Sequence, residues 1–450
     1  MLAIIMLFTM IVGIFVGVPV SFTLIFLALG FGYAHVGLNI FDLAYYNLLG
    51  GLSNEVFMAI PMFIFMGYIC ERSGLVKDLF ETLKKLLSSV RGSLYIIVIL
   101  LSVLVSLATG VVGASITLLG IMAAPSMIRL GYDPKLSAGV IAGGGSLICI
   151  PPAVPLIVMA PTMNLNIVDL YAASMGPGLL VALLYIFYCM YQVKTKPEVA
   201  PAIEKEDITI TLLGKLFVDV LPLAFLIMVT LGSMLAGMAT STEAGAFGAT
   251  GALLLASRKL SINKLHSALL KTCETSAVVM LLAIASTIFG AVFTNLGGDT
   301  IIIDTMNSLP IPPWAIVGSI LVLCHLLGWP FEWPVVVLVF LPIFLPILIQ
   351  TGVDLLWFGA ALGIVIQTAY LTPPVALTAY YLKQVVPSWD LGMIFKAMMP
   401  FMWIQVIAVI ILFMAPSIAT WFPHYLKEEP KIINKIEGEV DFLNSGEFRN

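Results

Sequence analysis

Charged residues are scarce in this chain of 450 residues. They make up 10% of the sequence, whereas about a quarter of the residues in a soluble globular protein are charged. The net charge of −4 is too small to indicate a nucleic acid or another polyanion as a partner. Hydrophobic residues make up 60% of the chain, and the mean hydropathy is +1.08. Such a composition is typical of a protein that lives in a lipid bilayer.

Side chains that catalyse reactions or bind metals are equally few. The sequence has no Gly-x-Ser-x-Gly or His-Glu-x-x-His motif, and its four histidines are far apart. A polytopic membrane enzyme needs catalytic groups that converge, and a disulfide framework or metal site needs regular cysteine spacing. The five cysteines show no such spacing, so we expect buried, inert thiols and no cofactor; they are Cys70, Cys149, Cys189, Cys273 and Cys324.

Apolar segments of membrane-spanning length run through most of the chain. With about 20 residues per crossing, the sequence is long enough for roughly a dozen spans. The first segment is either one long bent span or two, and because it lacks a basic leader region we expect it to be retained. The segments lie near 2–34, 56–70, 93–128, 136–162, 172–192, 212–235, 240–257, 275–296, 313–328, 333–350, 356–382 and 394–422.

One unusual pattern occurs twice. Gly131-Tyr-Asp133 in the first half recurs as Gly352-Val-Asp354 in the second, and each motif is followed by an apolar run that ends in a proline pair. The pairs, Pro151-Pro152 and Pro373-Pro374, follow their motifs at nearly the same distance along the chain. Two consecutive prolines interrupt a helix, because neither ring has an amide hydrogen and each clashes with the preceding turn. Broken helices at matching places in two halves indicate the binding site of a secondary transporter.

Two long apolar segments predict hairpins that enter the membrane and return. The first, 93–128, would turn at 109–115, and the second, 313–350, would turn at 328–334. Because non-helical backbone at membrane depth must be covered by protein or face water, we expect both turns to lie inside the protein.

Polar segments divide the chain further. Residues 71–92 predict an amphipathic arm helix at the membrane surface, and 257–274 look like its counterpart in the second half. The mixed-charge stretch from Lys194 to Lys215 is interpreted as the linker between the halves, and the polar tail from Lys427 as loosely ordered. Orientation stays open: basic loops favour the cytoplasm, yet the first arm carries five Lys/Arg and the second, expected on the opposite side, carries four.

A family resemblance rests on the order of several short motifs over roughly residues 1–420. These are Gly17-Val-Pro-Val-Ser-Phe, Ile60-Pro-Met-Phe-Ile-Phe-Met-Gly, Arg72-Ser-Gly-Leu, Gly131-Tyr-Asp-Pro, Gly176-Pro-Gly178, Ala239-Thr-Ser-Thr-Glu243-Ala-Gly, Leu345-Pro and Leu371-Thr-Pro-Pro-Val. The chain resembles the DctM-type large permease of tripartite ATP-independent periplasmic (TRAP) transporters. The run from Gln367 to Pro374 looks like the branch that handles keto acids, aromatic carboxylates or similar organic acids.

The resemblance implies an all-α polytopic fold with two inverted repeats and an elevator-type mechanism. It also implies a sodium-coupled importer in the bacterial inner membrane, which works with a small four-helix membrane subunit and a periplasmic substrate-binding protein. We divide the chain accordingly: first-repeat scaffold and arm in 1–92, first-repeat transport elements in 93–192, linker in 193–215, second-repeat scaffold and arm in 216–274, second-repeat transport elements in 275–422, and tail in 423–450.

Three motifs depart from the family pattern. Relatives carry a Ser-Gly-Ser-Gly-Pro type first tip where this chain has Thr109-Gly-Val-Val-Gly113, and Thr-Leu-Gly where it has Ser146-Leu-Ile-Cys. The second tip, Gly328-Trp-Pro-Phe-Glu332, places its acidic residue one position later than usual. These differences leave the architecture unchanged but make the ligand assignments specific to this chain.

Candidate ligands follow from the need of sodium for several oxygen atoms, which a broken helix supplies from its freed carbonyls. For the first sodium site we predict Thr109, Val111, Gly113, Ser115, Ser146, Ile150 and Pro152. For the second we predict Gly328, Glu332, Gln367, Thr368, Leu371, Thr372 and Pro373. For the substrate we predict Ser115, Gly145, Pro151, Pro330, Thr372 and Pro374. The alternative is a pair of plain proline kinks filled by neighbouring side chains.

Ionisable residues in apolar segments have structural explanations beside functional ones. Glu332 either orients the second tip or faces water, Glu243 either lines a path or caps a helix, and Asn54 favours a cap. His325 either relays protons or is a satisfied buried histidine, and Arg129 favours an interfacial anchor.

Three further interpretations compete with a tripartite transporter. A membrane enzyme is disfavoured by the missing catalytic groups, and a channel or scaffold by the internal duplication with broken helices. A stand-alone sodium-coupled organic anion carrier of the same superfamily, without a binding protein, remains the alternative.

Overall fold

A computed structural model describes residues 1–109, 112–201, 210–257, 259–308, 311–373 and 376–428. Within these ranges the chain is helical and has no strand. The first half contains α1 Leu2–Phe15, α2 Val20–Val36, α3 Asn39–Leu52, α4 Glu55–Ser73, α5 Leu75–Leu86, α6 Ser93–Thr109, α7 Val112–Arg129, α8 Pro134–Gly145, α9 Val154–Thr162 and α10 Ile167–Thr195.

The second half contains twelve helices, several of them short. They are α11 Ile210–Ile227, α12 Ser233–Leu235, α13 Ser241–Ala256, α14 Ile262–Asn295, α15 Gly298–Asn307, α16 Pro313–Leu327, α17 Trp333–Val335, α18 Leu341–Thr351, α19 Leu355–Thr368, α20 Leu377–Val385, α21 Leu391–Met414 and α22 Ser417–Glu428. The π-helical turns Met228–Gly232 and Val336–Phe340 join α11 to α12 and α17 to α18.

Seven of the described helices are long and apolar enough to cross a membrane, and five shorter ones are also strongly apolar. This confirms the prediction of an all-helical, multi-pass membrane protein. The first apolar segment is two helices, α1 and α2, joined by a turn at Gly17. The last predicted span is also two helices, because Pro416 follows the end of α21.

The repeated Gly-x-Asp motif is a turn between two helices. Gly131 and Gly352 adopt left-handed backbone angles, with φ of 72° and 68°, which glycine accepts without steric strain. Two residues later, Asp133 accepts a hydrogen bond from the Leu136 amide (2.7 Å) and Asp354 accepts one from the Leu356 amide (2.8 Å). Each motif therefore ends one helix and caps the next.

Replacing Asp133 by alanine is expected to lower the free energy of unfolding by about 1 kcal/mol, because the first amides of α8 lose their acceptor. Thermal unfolding of the detergent-purified protein measures the loss. Asp133→Asn keeps a side-chain oxygen and serves as the control. Equal destabilisation by both substitutions would show that the carboxylate acts through something other than the cap.

The two halves have the same order of helices at a nearly constant offset. Helix α13 follows α2, and α19 follows α8, at the same distance along the chain as the second Gly-x-Asp motif follows the first. Helix α16 follows α6 at nearly this distance. The helix contacts show the same correspondence. Helix α4 contacts α13, and their counterparts α14 and α2 also contact each other. Helix α8 contacts α21, and their counterparts α19 and α10 also contact each other. The duplication therefore extends over most of the described chain.

This correspondence corrects the predicted second arm. At nearly the same offset, the counterpart of α5 is α15, whereas the segment predicted as the arm, 257–274, forms the beginning of α14. Helix α14 runs without a break through the predicted span at 275–296 and matches α3 and α4 together. No proline interrupts α14, whereas the glycines of α3 and the cap at Asn54 separate α3 from α4. The linker is also shorter than predicted, because α10 continues to Thr195 and α11 begins at Ile210.

Both basic segments lie at the same end of the helix bundle. Lys259 forms an ion pair with Asp78 of α5 (2.7 Å), and Arg72 donates to the carbonyl of Lys264 (3.4 Å). Arg91 donates to the carbonyl of Ala200 (2.8 Å), which brings the linker to this end as well. We call it the basic end.

The opposite end is nearly free of basic residues. Thr242 donates to the carbonyl of Glu55 there, and Lys427 pairs with Asp169 (2.9 Å). Following the helices through the bundle, Lys427 is the one Lys or Arg in the described ranges that lies at this end. Helix α15 carries two aspartates and no basic residue. The orientation was ambiguous in the sequence because 257–274 was paired with the first arm; the actual counterpart, α15, has no basic residue.

Candidate functional site

The first break separates α8 from α9 and leaves main-chain oxygens without partners. The amide of Ser146 still bonds back to Ala142, and the carbonyl of Leu147 accepts a hydrogen bond from the Ser106 hydroxyl. No hydrogen bond from the described part of the chain reaches the carbonyls of Cys149 or Ile150. The prolines cause this by ending the helix: without amide hydrogens they cannot continue α8, so residues 153 and 154, which would donate to these two carbonyls in an unbroken helix, do not pair with them.

The first hairpin packs directly on this break. A Cβ atom at Gly145 would collide with the side chain of Ile116 in α7, so only glycine permits the contact. The start of α7 also reaches the second broken helix, because a Cβ atom at Gly113 would lie 3.0 Å from the ring of Tyr381 in α20. Ser115 is buried nearby. The side chain of Thr109 and all of Val111 lie outside the described residues.

A buried glutamine joins the two broken helices. Gln367, fully buried at the end of α19, accepts a hydrogen bond from the Cys149 amide at 3.3 Å. Ser146 and Gln367 are separated by the offset of the duplication, so they occupy equivalent positions in the two halves. The sequence placed them in separate sodium sites, whereas the structure brings their two helices into contact.

A second buried glutamine was missed by sequence reasoning. Gln405 of α21 donates from Nε2 to the hydroxyl of Tyr185 (2.8 Å) and to that of Ser146 (3.3 Å). Its Oε1 is buried and accepts no hydrogen bond from the described residues. An amide inside the apolar run of α21 was the signal available in the sequence.

The second break is lined by hydroxyls that bond to their own helix. Thr372 donates to the carbonyl of Thr368 (2.8 Å), and Thr368 donates to that of Val365 (2.6 Å). His325 Nδ1 lies 2.7 Å from the Thr368 hydroxyl, which can accept a hydrogen bond from this nitrogen because its own hydrogen is already donated to Val365. His325 is thus a hydrogen-bonded, partly buried histidine, as the structural explanation predicted. Pro374 lies outside the described residues.

The second tip touches the second break from one side. A Cβ atom at Gly328 would lie 3.1 Å from the side chain of Ala369, in the single 3₁₀ turn that includes Leu371. Trp329, Pro330 and Glu332 at this tip are exposed, so the Glu332 carboxylate is open to the surroundings of the hairpin. His325 and Trp329 meet edge to face, with ring centroids 5.8 Å apart.

The remaining polar candidates have structural roles. Asn54 caps α4 by accepting from the Val56 amide, and Glu243 forms a reciprocal capping box with Thr240. Arg129 lies at the basic end, on the rim of a surface hollow. In the part of the chain that the structure describes, no group of three His, Cys, Asp or Glu side chains could hold a metal ion.

Comparison with known proteins decides the family. Residues 7–418 match the family of the tripartite ATP-independent periplasmic transporter, DctM component. The chain belongs to this family. It is similar to the C4-dicarboxylate TRAP transporter large permease protein DctM of Pseudomonas aeruginosa, with 24% identity over 82% of this chain and 86% of that protein. It is also similar to the sialic acid TRAP transporter large permease protein SiaM of Vibrio cholerae, with 28% identity over 83% of this chain and 87% of that protein.

A solved structure shows the same fold at low identity. The YdaH transporter of Alcanivorax borkumensis aligns with a TM-score of 0.62 and 17% identity, over 86% of this chain and 90% of that one. As a DctM component, the chain is the large permease of a tripartite transporter. Such a permease works with a small membrane subunit and a periplasmic binding protein. The family is one of transporters, not of enzymes.

Proposed function

We propose that this DctM-family permease couples sodium entry to the import of a small organic acid anion by an elevator-type motion, in the bacterial inner membrane. The observation that carries the proposal is the contact between the two broken helices, where the carbonyls of Cys149 and Ile150 have no donor among the described residues. Sodium is a small hard cation, and freed carbonyls at a discontinuous helix are its usual ligands in transporters.

The charge of the substrate is matched by helix ends. Helices α9 and α20 both begin at a break, so their positive N-terminal ends face the same central region. No Lys or Arg lies in the described parts of either break. We infer that an anionic substrate is stabilised by these helix ends together with bound sodium, and that it cannot bind well without the cation.

The distribution of basic residues supports an inverted arrangement. Positively charged loops favour the cytoplasm, so the basic end is assigned to that side. Helix α6 then starts at the cytoplasmic end and its counterpart α16 at the opposite end. Two hairpins that open toward opposite sides of a membrane suit alternating access, with α4 and α14 as part of the scaffold against which they move.

Reconstitution tests the proposal. The permease and its small subunit are placed in proteoliposomes, and uptake of a radiolabelled organic acid is measured with and without the binding protein. We expect uptake only when the binding protein is present and sodium is higher outside. Uptake by the permease without any binding protein would favour the stand-alone carrier, and equal uptake in a potassium gradient would contradict sodium coupling.

A further inference from the structure

A polar crevice lies apart from the breaks, between the scaffold helices and the second hairpin. Its volume is about 780 Å³, and α3, α4 and α14 form one wall while the end of α9 and the π-helical turn of the second hairpin form the other. Neutral polar groups line it, chiefly the amides of Asn47, Asn54, Asn164 and Asn295 and the hydroxyls of Thr287 and Thr294. Four amides at one hollow are unusual in a chain that is 60% hydrophobic.

Two of these amides are held in place by their own helices. Asn47 donates one N–H to the carbonyl of Leu43 (2.8 Å), and Asn295 donates one to that of Ala291 (2.9 Å). Each keeps its amide oxygen and a second N–H for another partner. Asn164 adopts a left-handed backbone angle (φ 53°) in the turn after α9, a conformation that asparagine tolerates better than most residues. A fixed set of donors and acceptors is typical of a binding surface rather than of accidental polarity.

The crevice connects the end of the bundle opposite the basic end to the middle of the bundle. Asn54, Asn164 and Asn295 lie at helix ends on the side opposite the basic end. At the deep end, the Ser286 hydroxyl of α14 donates to the carbonyl of Leu338, in the π-helical turn that follows the second tip. The crevice thus leads from that face toward the second hairpin.

A second hollow, at the basic end, differs in chemistry. It is bounded by α7 and the end of α20, has a volume of about 570 Å³, and is lined mostly by glycine, isoleucine, valine and proline, with Arg129 and Ser388 at its rim. It has no asparagine among the described residues that line it.

No carboxylate, ammonium, guanidinium or imidazole group lies among the described residues that line the crevice. Neutral amides and hydroxyls bind hydroxyl and carbonyl groups well, but they do not balance the two charges of a simple dicarboxylate. We propose that this crevice is the outer vestibule of the permease and binds the hydroxyl groups of a polyhydroxylated monocarboxylate, a sugar acid. The inference rests on the proposed function, because the helix ends and sodium at the breaks receive the carboxylate.

Thiol accessibility tests the vestibule without any transport. In a Cys273→Ser background, which removes the one exposed cysteine of the described chain, Thr287→Cys places a thiol inside the crevice. Val278→Cys is the control, because Val278 is on the same helix, 60% exposed, and outside the crevice lining. The permease with its small subunit is treated from outside, in right-side-out vesicles, with a membrane-impermeant methanethiosulfonate. We expect Thr287→Cys to react and Val278→Cys not to. A Thr287→Cys thiol that does not react from outside would overturn the vestibule.

Protection of the same thiol tests the substrate class. We expect sodium gluconate to slow labelling of Thr287→Cys by about tenfold more than sodium succinate, which corresponds to one or two net hydrogen bonds. Equal or better protection by succinate would overturn the sugar-acid assignment. Because labelling needs neither a gradient nor the binding protein, absent sodium-driven uptake with normal labelling and gluconate protection would contradict the proposed function but not the vestibule.

Discussion

Replacing Pro151 and Pro152 together by alanine is expected to reduce sodium-driven uptake at least about a hundredfold while the protein still reaches the membrane. Two alanines supply two amide hydrogens where the wild-type chain has none. These can donate to upstream carbonyls and extend α8 toward the break. The new amides would pair with the carbonyls of Leu147 and Ile148, and a helix that continues through the break would also occupy those of Cys149 and Ile150, so these oxygens would no longer be available to sodium.

The size of the effect follows from the strength of the contacts that are lost. A hydrogen bond or dipole contact to a charged group contributes about 1.5–3 kcal/mol, so losing two carbonyl ligands weakens sodium binding by a factor of about a hundred or more. Because sodium and substrate each favour the other's bound state, uptake falls with sodium binding.

Pro155→Ala provides the matched control for this experiment. Pro155 lies in the first turn of α9, where a helix needs no amide hydrogen, so its replacement should leave sodium dependence unchanged. Sodium binding is measured directly, as the rise in unfolding temperature of the purified complex with added sodium chloride, using choline chloride as the reference salt. An undiminished sodium-dependent rise in the double variant would remove the first break from the ion site.

The parts of the structure that local chemistry determines could be predicted from the sequence. Proline pairs end helices, glycine followed by aspartate makes a turn and a cap, and both effects act within a few residues. The ends of α8 and α19 before the proline pairs and the turn that follows α16 therefore lie within a few residues of their predicted positions, whereas the predicted first turn lies partly outside the described residues. The cap at Asn54 was favoured for the same reason, and the cap at Glu243 was one of its two interpretations, because in each case a side-chain oxygen meets an amide two or three residues away.

Contacts between distant residues could not be predicted in this way. The bonds from Cys149 to Gln367 and from Gln405 to Ser146 span 218 and 259 residues, and they depend on how whole helices pack. The second arm was mispaired for a related reason. Charge and amphipathicity were similar in both segments, but only the register of the duplication identifies α15 as the counterpart of α5.

Gly139→Ala is expected to destabilise the permease by about 3 kcal/mol or more, the upper range for overpacking a tightly packed core. Gly139 lies in α8, and a Cβ atom there would lie 2.5 Å from the carbonyl oxygen of Ala397 and 2.6 Å from the ring of Phe401 in α21. A main-chain oxygen cannot rotate away as a side chain can. Helix α8 would have to separate from α21, which also carries the Gln405 contact with Ser146.

Gly290→Ala, in contrast, is expected to raise the free energy of unfolding. Gly290 is in the helix α14 with no neighbouring atom within 4 Å of an added Cβ, so alanine there removes only the conformational freedom of glycine and stabilises by about 0.5–1 kcal/mol. Thermal unfolding of both variants in detergent gives the comparison, and Gly139→Ala should also lower the amount of folded protein recovered. Similar unfolding temperatures for the two variants would mean that α8 and α21 do not pack as closely as described, and that Ser146 is not positioned by α21.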